Sequence, residues 1–370
     1  MRPKLARLAV LLVLLAALAV GCNSQRKSEP SVKRIIFMTN GNSPFWDTCR
    51  AGLQTADREL KLKEHGLRAV LDVNDGKPQG QIERLRQYAS QPDVVGVAVS
   101  AVDANNLAVA EEMRNLMKKG VKVISVDGDV DRAKYRDART YYIGTDNVVG
   151  GRVLGFAAAR LLEARKVNKG SYVQFVGRTG SHNAMERMGG FNEAVGKSFR
   201  EADRMGDNFD KSKARDNVRN AITNHRDVVA LVGIWSYNAP AIVDVIKQDH
   251  KQDRERFTIV TFDAEPIAIK QMGERYINAM VVQDPYDMGY QAVRLLSALV
   301  RGDKKVPAEM YPNFGKPDGD LYETGLKVVA PNSDTPLRAE QFETEFGKRV
   351  TFMTLGDFQG WLKKNNLEGS

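Results

Sequence analysis

Two cysteines and four scattered histidines in 370 residues leave little room for several kinds of chemistry. With the Cys22 thiol taken up by a lipid, as read below, Cys49 is left alone and no intramolecular disulfide is expected. His65, His182, His225 and His250 lie far apart and show no metal-ligand spacing, so neither a metal nor another cofactor is expected. Beyond residue 20 no apolar run is long enough to span a bilayer. The formal charge is +9, or +6 without Arg2, Lys4 and Arg7, and it is spread along the chain rather than blocked. That distribution gives no reason to expect nucleic acid as a partner.

The first residues, MRPKLARLAVLLVLLAALAVGC, have three basic residues, an apolar stretch from Leu8 to Val20 and then small residues. Residues 1–21 read as a secretory signal peptide. Ala19-Val20-Gly21-Cys22 resembles a bacterial lipobox, with Ala where Leu is more usual. The resemblance implies cleavage before Cys22 and lipid on its thiol; the alternative is an ordinary signal peptide that happens to contain a cysteine. Residues 22–32 then form a polar tether. The expectation is an exported protein, periplasmic or on the cell surface, held to the membrane through Cys22.

The remaining chain, within a sequence of 42% hydrophobic content, is long enough for two domains. Apolar strands alternate with helical periodicity, the pattern of parallel sheets with crossover helices. VKRIIFMTN, LRAVLDVN, VVGVAVS and VKVISVD are strand candidates, and after TYYIGTDN the pattern restarts with SYVQFVG, VVALVGI, FTIVTFD and INAMVVQ. Two similar α/β halves follow, each a doubly wound sheet, without a strict sequence repeat.

In such sheets ligands gather beyond the carboxyl ends of the strands. The first strand ends in Asn40, followed by Asn42, Phe45 and Trp46. Others lead to Asp127 and Asp129, to Arg187, to Trp235 and Asn238, to Asp263 and to Gln283. Flat aromatics suit the C–H faces of a sugar ring, and carboxylates, amides and arginine suit its hydroxyl rim. Ser43 is placed to N-cap the next helix with Pro44 in its first turn, which would set Phe45 and Trp46 facing the cleft. Two structural readings stay open: a core wedge for Trp46, and N-caps for the carboxylates.

NSPFW, the VISVD strand end, YIGTDNVVGGR, MERMGGF, TFDAEP and VVQDPYDMGYQA together resemble the ribose-type periplasmic sugar-binding proteins of ABC transporters, over roughly residues 33–330. The resemblance implies two Rossmann-like doubly wound parallel-sheet domains joined by a three-segment hinge and closing on a monosaccharide. Residues 33–144 plus 284–312 would form the N-terminal domain, 145–283 plus 320–332 the C-terminal one, and 333–370 an extension. The crossovers are expected near Gly144–Thr145, Gln283–Pro285 and Tyr311–Asp320. On the family pattern Phe45 and Trp46 match the stacking aromatics, Asp127 the first carboxylate and Arg187 the sugar-binding arginine. Asp263 and Gln283 match the acid and amide of the second domain.

Departures exclude copying the ribose manner of binding. Ribose-binding members carry an arginine after the first acid, where this chain has Gly128 and Asp129, and an asparagine where Trp235 stands. Trp235 is then a second stacking surface, and Asn238 the amide. The function implied is a solute-binding protein that delivers its sugar to an ABC permease, as a monomer and not as an enzyme. Alternatives are a sugar sensor for a chemoreceptor or sensor kinase, or a carbohydrate-active enzyme on a similar fold. A repressor-type transcription factor is disfavoured by the export signal standing where a DNA-reading helix pair would be.

Overall fold

The computed structural model describes residues 32–370. The signal peptide, the lipobox and Cys22 lie outside the described residues. The first lobe opens with β1 (Lys33–Met38), α1 (Pro44–Glu59), β2 (Leu67–Asp72), α2 (Pro78–Ala89), β3 (Val94–Val99), α3 (Leu107–Lys118), β4 (Lys122–Val126) and β5 (Tyr142–Gly144). The second lobe contributes α4 (Asn147–Ala164), β6 (Gly170–Val176), α5 (His182–Ala194), β7 (Phe199–Gly206), α6 (Lys211–Asn224), β8 (Val228–Gly233), α7 (Asn238–Asp249), β9 (Thr258–Phe262), α8 (Pro266–Gly273) and β10 (Ala279–Val282). The chain returns to the first lobe for α9 (Pro285–Arg301), α10 (Lys305–Met310) and β11 (Leu321–Glu323). It then finishes on the second with β12 (Leu326–Ala330), α11 (Ala339–Phe346), β13 (Val350–Thr354) and α12 (Leu355–Lys364).

The first sheet has the order β2-β1-β3-β4-β5-β11, parallel throughout, and the second the order β7-β6-β8-β9-β10-β12-β13. Five strands of each lobe therefore repeat one winding, β2-β1-β3-β4-β5 against β7-β6-β8-β9-β10. The one antiparallel pairing is β12 on β10, and because β13 is parallel to β12 these two strands run against the other five. Helices cover both faces, so successive residues of a strand are buried on opposite sides. On β1, Ile35 and Phe37 pack with α1 and α9, while Ile36 and Met38 pack with α2 and α3. The two doubly wound domains expected from the alternation of strands and helices are the observed architecture.

The chain passes between sheets at Thr145–Asp146, at Gln283–Asp284 and at Thr324–Gly325. The third crossover is a correction, since Tyr311–Asp320 was expected to carry it. The segment stays with the first lobe because β11 adds to β5, with Leu321 opposite Tyr142. A buried ion network pins it there. Arg139, 3% exposed, donates from Nε and Nη2 to the Asp129 carboxylate at 3.0 and 2.7 Å and from Nη1 to Asp320. Arg136 also donates from Nε to Asp320 at 3.0 Å. Residues 333–370 are likewise more integrated than an outer extension, because β13 pairs with β12 along its whole length.

Burial alone would push the Asp320 carboxyl up, but Arg136 and Arg139 hold it down at about 2. A depressed carboxylate contributes stability above its ordinary value of 3.8, and loses it as pH falls through its folded value. Arg139→Ala should therefore cost about 3–5 kcal/mol near neutral pH by taking the buried guanidinium from two carboxylates, leaving Asp129 with Arg132 alone and Asp320 with Arg136 alone. In urea unfolding, the gap between wild type and variant should narrow as pH falls from about 4 toward 2. A constant gap across that range would show that lost packing, not charge pairing, is responsible.

Candidate functional site: the interlobe cleft

The site is built first by how closely two helices approach. A Cβ added to Gly151 on α4 would lie 2.1 Å from the Arg187 carbonyl oxygen, and one added to Gly190 on α5 would lie 2.2 Å from that of Val148. Glycine at these positions lets the two helix backbones touch, which is the physical content of the VVGGR and RMGGF segments. The contact places Arg187 beside the N-terminus of α4. Its Nε donates to Asn147 Oδ1 at 2.9 Å, Nη1 donates to the Ile234 carbonyl at 3.2 Å, and the guanidinium lies 4.4 Å from the Phe262 ring centroid.

Arg187 is 2% exposed, and among the described residues no carboxylate comes within 4.0 Å of it. Its charge nevertheless acts on two carboxylates, one from each lobe. Asp127 follows β4 and Asp263 follows β9, equivalent strands of the two windings. Both adopt left-handed backbone, φ 60° and 61°, a region that Asp tolerates better than most residues. Asp127 keeps part of its surface open, yet burial of its carboxyl pushes it up to about 6; Arg187 opposes that rise and Asp263 adds to it. Burial also raises Asp263, against Arg187 and the donors of Gln283.

Gln283, at the second crossover, donates from Nε2 to Asp263 Oδ1 and Oδ2 at 3.1 and 3.2 Å. It accepts from Thr145 Oγ1 of the first crossover at 2.9 Å. Two crossovers and one acid are thus tied by one amide. Cavities of about 430 Å³ exist elsewhere, one bounded by Tyr311 and Leu321 and one by Ile269 and Leu362. Neither gathers unpaired charges from both lobes, so the cleft is the stronger candidate.

Residues 35–304 match the family described as periplasmic binding protein domain. The chain belongs to that family. It is 23% identical over 286 residues to the ribose import binding protein of Bacillus subtilis (strain 168), covering 76% of this chain and 85% of that protein. It is 22% identical over 308 residues to the D-allose-binding periplasmic protein of Escherichia coli (strain K12), covering 82% and 95%. A solute-binding protein from Burkholderia graminis C4D1M, solved in complex with D-arabinose, matches with a TM-score of 0.69 at 22% identity, covering 83% of this chain and 99% of that one. The ribose-type resemblance read from the motifs is the one these relatives carry.

Several expected site residues of this periplasmic binding protein have other duties. Asp129 is held by Arg139 and, at 2.9 Å, by Arg132; these guanidiniums keep its carboxyl below the usual range although burial pushes it up. Asn238 is fully buried, donating to Asp207 Oδ2 at 3.1 Å and accepting from the Trp235 backbone N–H at 3.0 Å. It shapes the loop rather than offering a free amide. Trp46, 3% exposed, lies 5.7 Å from Phe37 in the first lobe's core, and Phe45 meets it edge-on at 4.9 Å while staying half-buried. Ser43 sits at the N-cap with Pro44 next, but its side chain makes no capping bond.

Asn40 is half-buried and Asn42 exposed on the β1–α1 turn. Trp235 remains half-buried and packs on Phe209 at 5.2 Å. Asn147, Arg132 and Ser100, whose Oγ donates to Asp127 Oδ2 at 3.4 Å, were not anticipated, and Thr145 was expected as a crossover but not as a site residue. Asn147 and Thr145 follow β5, and Ser100 follows β3, so the strand-end rule extended to those strands would have found three of the four.

Ionised Asp127 is a burden on the ligand-free fold. A carboxyl whose folded value is raised favours the folded state below its ordinary 3.8, and that advantage is lost as pH rises through about 6. Asp127→Asn should therefore stabilise the ligand-free protein by about 1–3 kcal/mol at pH 7.5, with the gain vanishing below pH ~4. Melting curves across that range check it, and an unchanged or lower melting temperature at pH 7.5 would contradict the electrostatics.

Proposed function

We propose that this chain is an extracytoplasmic solute-binding protein that captures a monosaccharide by hinge closure and delivers it to an ABC transporter permease. The observation that carries the reading is the convergence of Asp127 and Asp263, from opposite lobes, on a buried Arg187 that neither directly pairs with. Hydroxyl groups between them would donate to the carboxylates and accept from the guanidinium, and charge-assisted bonds of this kind are strong. Closure follows because only the closed form lets both lobes engage the same ring. Domain closure around a ligand is a known repertoire for periplasmic binding proteins, so the type of motion is borrowed and the residues are this chain's own.

The aromatic walls in this reading are Phe45 on the first lobe and Trp235 on the second, with Trp46 supporting Phe45 from the core. The relatives above are named for ribose and allose, and one is solved with D-arabinose, which supports a pentose or hexose as cargo. No reacting nucleophile–base pair is part of the mechanism, so the proposal is binding without chemistry. The N-terminal reading adds a lipid anchor at Cys22, with a monomer on a tether as the working unit.

Calorimetry with D-ribose, D-allose and D-arabinose tests the site. Arg187→Ala or Asp263→Asn should weaken the sugar that binds by ~1.5–3 kcal/mol, the range for hydrogen bonds to charged groups. Phe45→Ala should lower affinity with little change in melting temperature. Trp46→Ala should instead cost about 3–5 kcal/mol of stability, as for an emptied aromatic core position. If Trp46→Ala leaves stability intact and destroys affinity, the two aromatics have the opposite roles.

The anchor is tested separately. Cys22→Ser should release folded protein from the membrane fraction, and retention after salt and carbonate washes would exclude the lipobox.

A further inference from the structure

Beyond α12 the chain reverses at Asn366, whose φ is 54°, and runs back toward the cleft. Gly369 and Ser370 are buried there, Ser370 at 4% exposure. The Ser370 N–H donates to the Ala264 carbonyl at 2.9 Å, and the Ala264 N–H donates to a Ser370 oxygen at 2.8 Å. Ser370 Oγ donates to the Gln283 carbonyl at 3.2 Å. Ala264 directly follows Asp263, so this short segment grips both the acid-bearing loop and the second crossover.

One further bond crosses to the other lobe. Thr48, 2% exposed on α1 and one turn beyond Phe45, donates from Oγ1 to the Gly369 carbonyl at 2.7 Å. The fit leaves no space for a side chain at Gly369: a Cβ would stand 2.7 Å from the Ala264 oxygen and 2.8 Å from Pro266 Cδ. Three bonds therefore hold the segment to the second lobe, and one holds it to the first.

We propose that Gly369–Ser370 is a strap across the cleft, which positions Asp263 and Gln283 and favours the closed arrangement through Thr48. The inference rests on the hinge-closure reading above. Opening moves α1 away from the β9 loop. The three second-lobe bonds travel together, and the Thr48 bond must break. The strap thus sets how much of the closed form exists before any sugar arrives, and a pre-closed site binds more tightly by that fraction. Thr48 and Ser370 are positioning residues in this scheme, since they act through Asp263 and Gln283.

The test removes one hydroxyl and restores it. Thr48→Val keeps the buried volume but cannot donate, whereas Thr48→Ser can. Small-angle X-ray scattering of the ligand-free full chain should give a larger radius of gyration for Thr48→Val and the wild-type value for Thr48→Ser. The expected shift in the closed-to-open ratio is about fivefold, equivalent to about 1 kcal/mol at 1.4 kcal/mol per tenfold. Equal radii for wild type and both variants would overturn the strap. So would a fall in the Thr48→Val melting temperature without expansion, because that outcome assigns Thr48 to packing alone. Titration with D-ribose, D-allose and D-arabinose runs in parallel. If no sugar binds even to wild type, the cargo reading fails, while the ligand-free scattering still decides the strap.

Discussion

A buried guanidinium without a carboxylate in contact is the constraint on which the cleft depends. Removing Arg187 from water is costly unless its donors find acceptors. The chain supplies neutral ones, Asn147 Oδ1 and the Ile234 carbonyl, together with the face of Phe262. The charge itself is left unneutralised at close range, and it acts across a gap on Asp127 and Asp263. The surrounding backbone sets where each of these groups stands. Glycines bring α4 against α5 so that Arg187 and Asn147 meet, and left-handed backbone turns each acid at the end of its strand.

The first lobe shows what happens when such charges are allowed to pair. Asp129 lies two residues from Asp127 but is enclosed by Arg139 and Arg132, and Arg139 also holds Asp320. That network is satisfied, and its work is to fasten β11 to the first sheet. Because β11 stays there, the third crossover falls at Thr324–Gly325, next to the other two rather than in the loop before it. Paired charge fixes the architecture, and in the proposed function the unpaired charge is what remains for a ligand.

The doubly wound architecture was legible because strands covered on both faces read as continuous apolar runs, and VVGVAVS or VVALVGI admits few other readings. The strand-end rule named Asp127, Arg187, Asp263 and Gln283, and the fold brings these four near one another. What stayed hidden was the state of each side chain. Asp127 and Asp129 are indistinguishable on paper, since pairing depends on Arg139, ten residues beyond Asp129, and on Asp320 far along the chain. Trp46 and Phe45 are adjacent on one helix, so they project about 100° apart and cannot share a role; which of them faces the core depends on the helix's rotation against Phe37. The path of residues 365–370 was illegible for a similar reason, since a turn at Asn366 and two small residues carry no periodicity.

Keeping charges buried and unpaired works against the fold. Replacing Asp127, Arg187 and Asp263 by apolar residues would remove three desolvated groups and, as with other buried charges, would tend to favour the fold. A site that satisfied them internally, as Asp129 is satisfied, would be equally comfortable and would have nothing left to offer a hydroxyl. In the proposed function a polar ligand supplies the missing partners. The tie from Gln283 to Asp263 and Thr145 then has a second consequence. In the proposed function, any group that draws on Asp263 also draws on the amide that links two crossovers, so occupancy of the site and the path between the lobes are joined through one side chain.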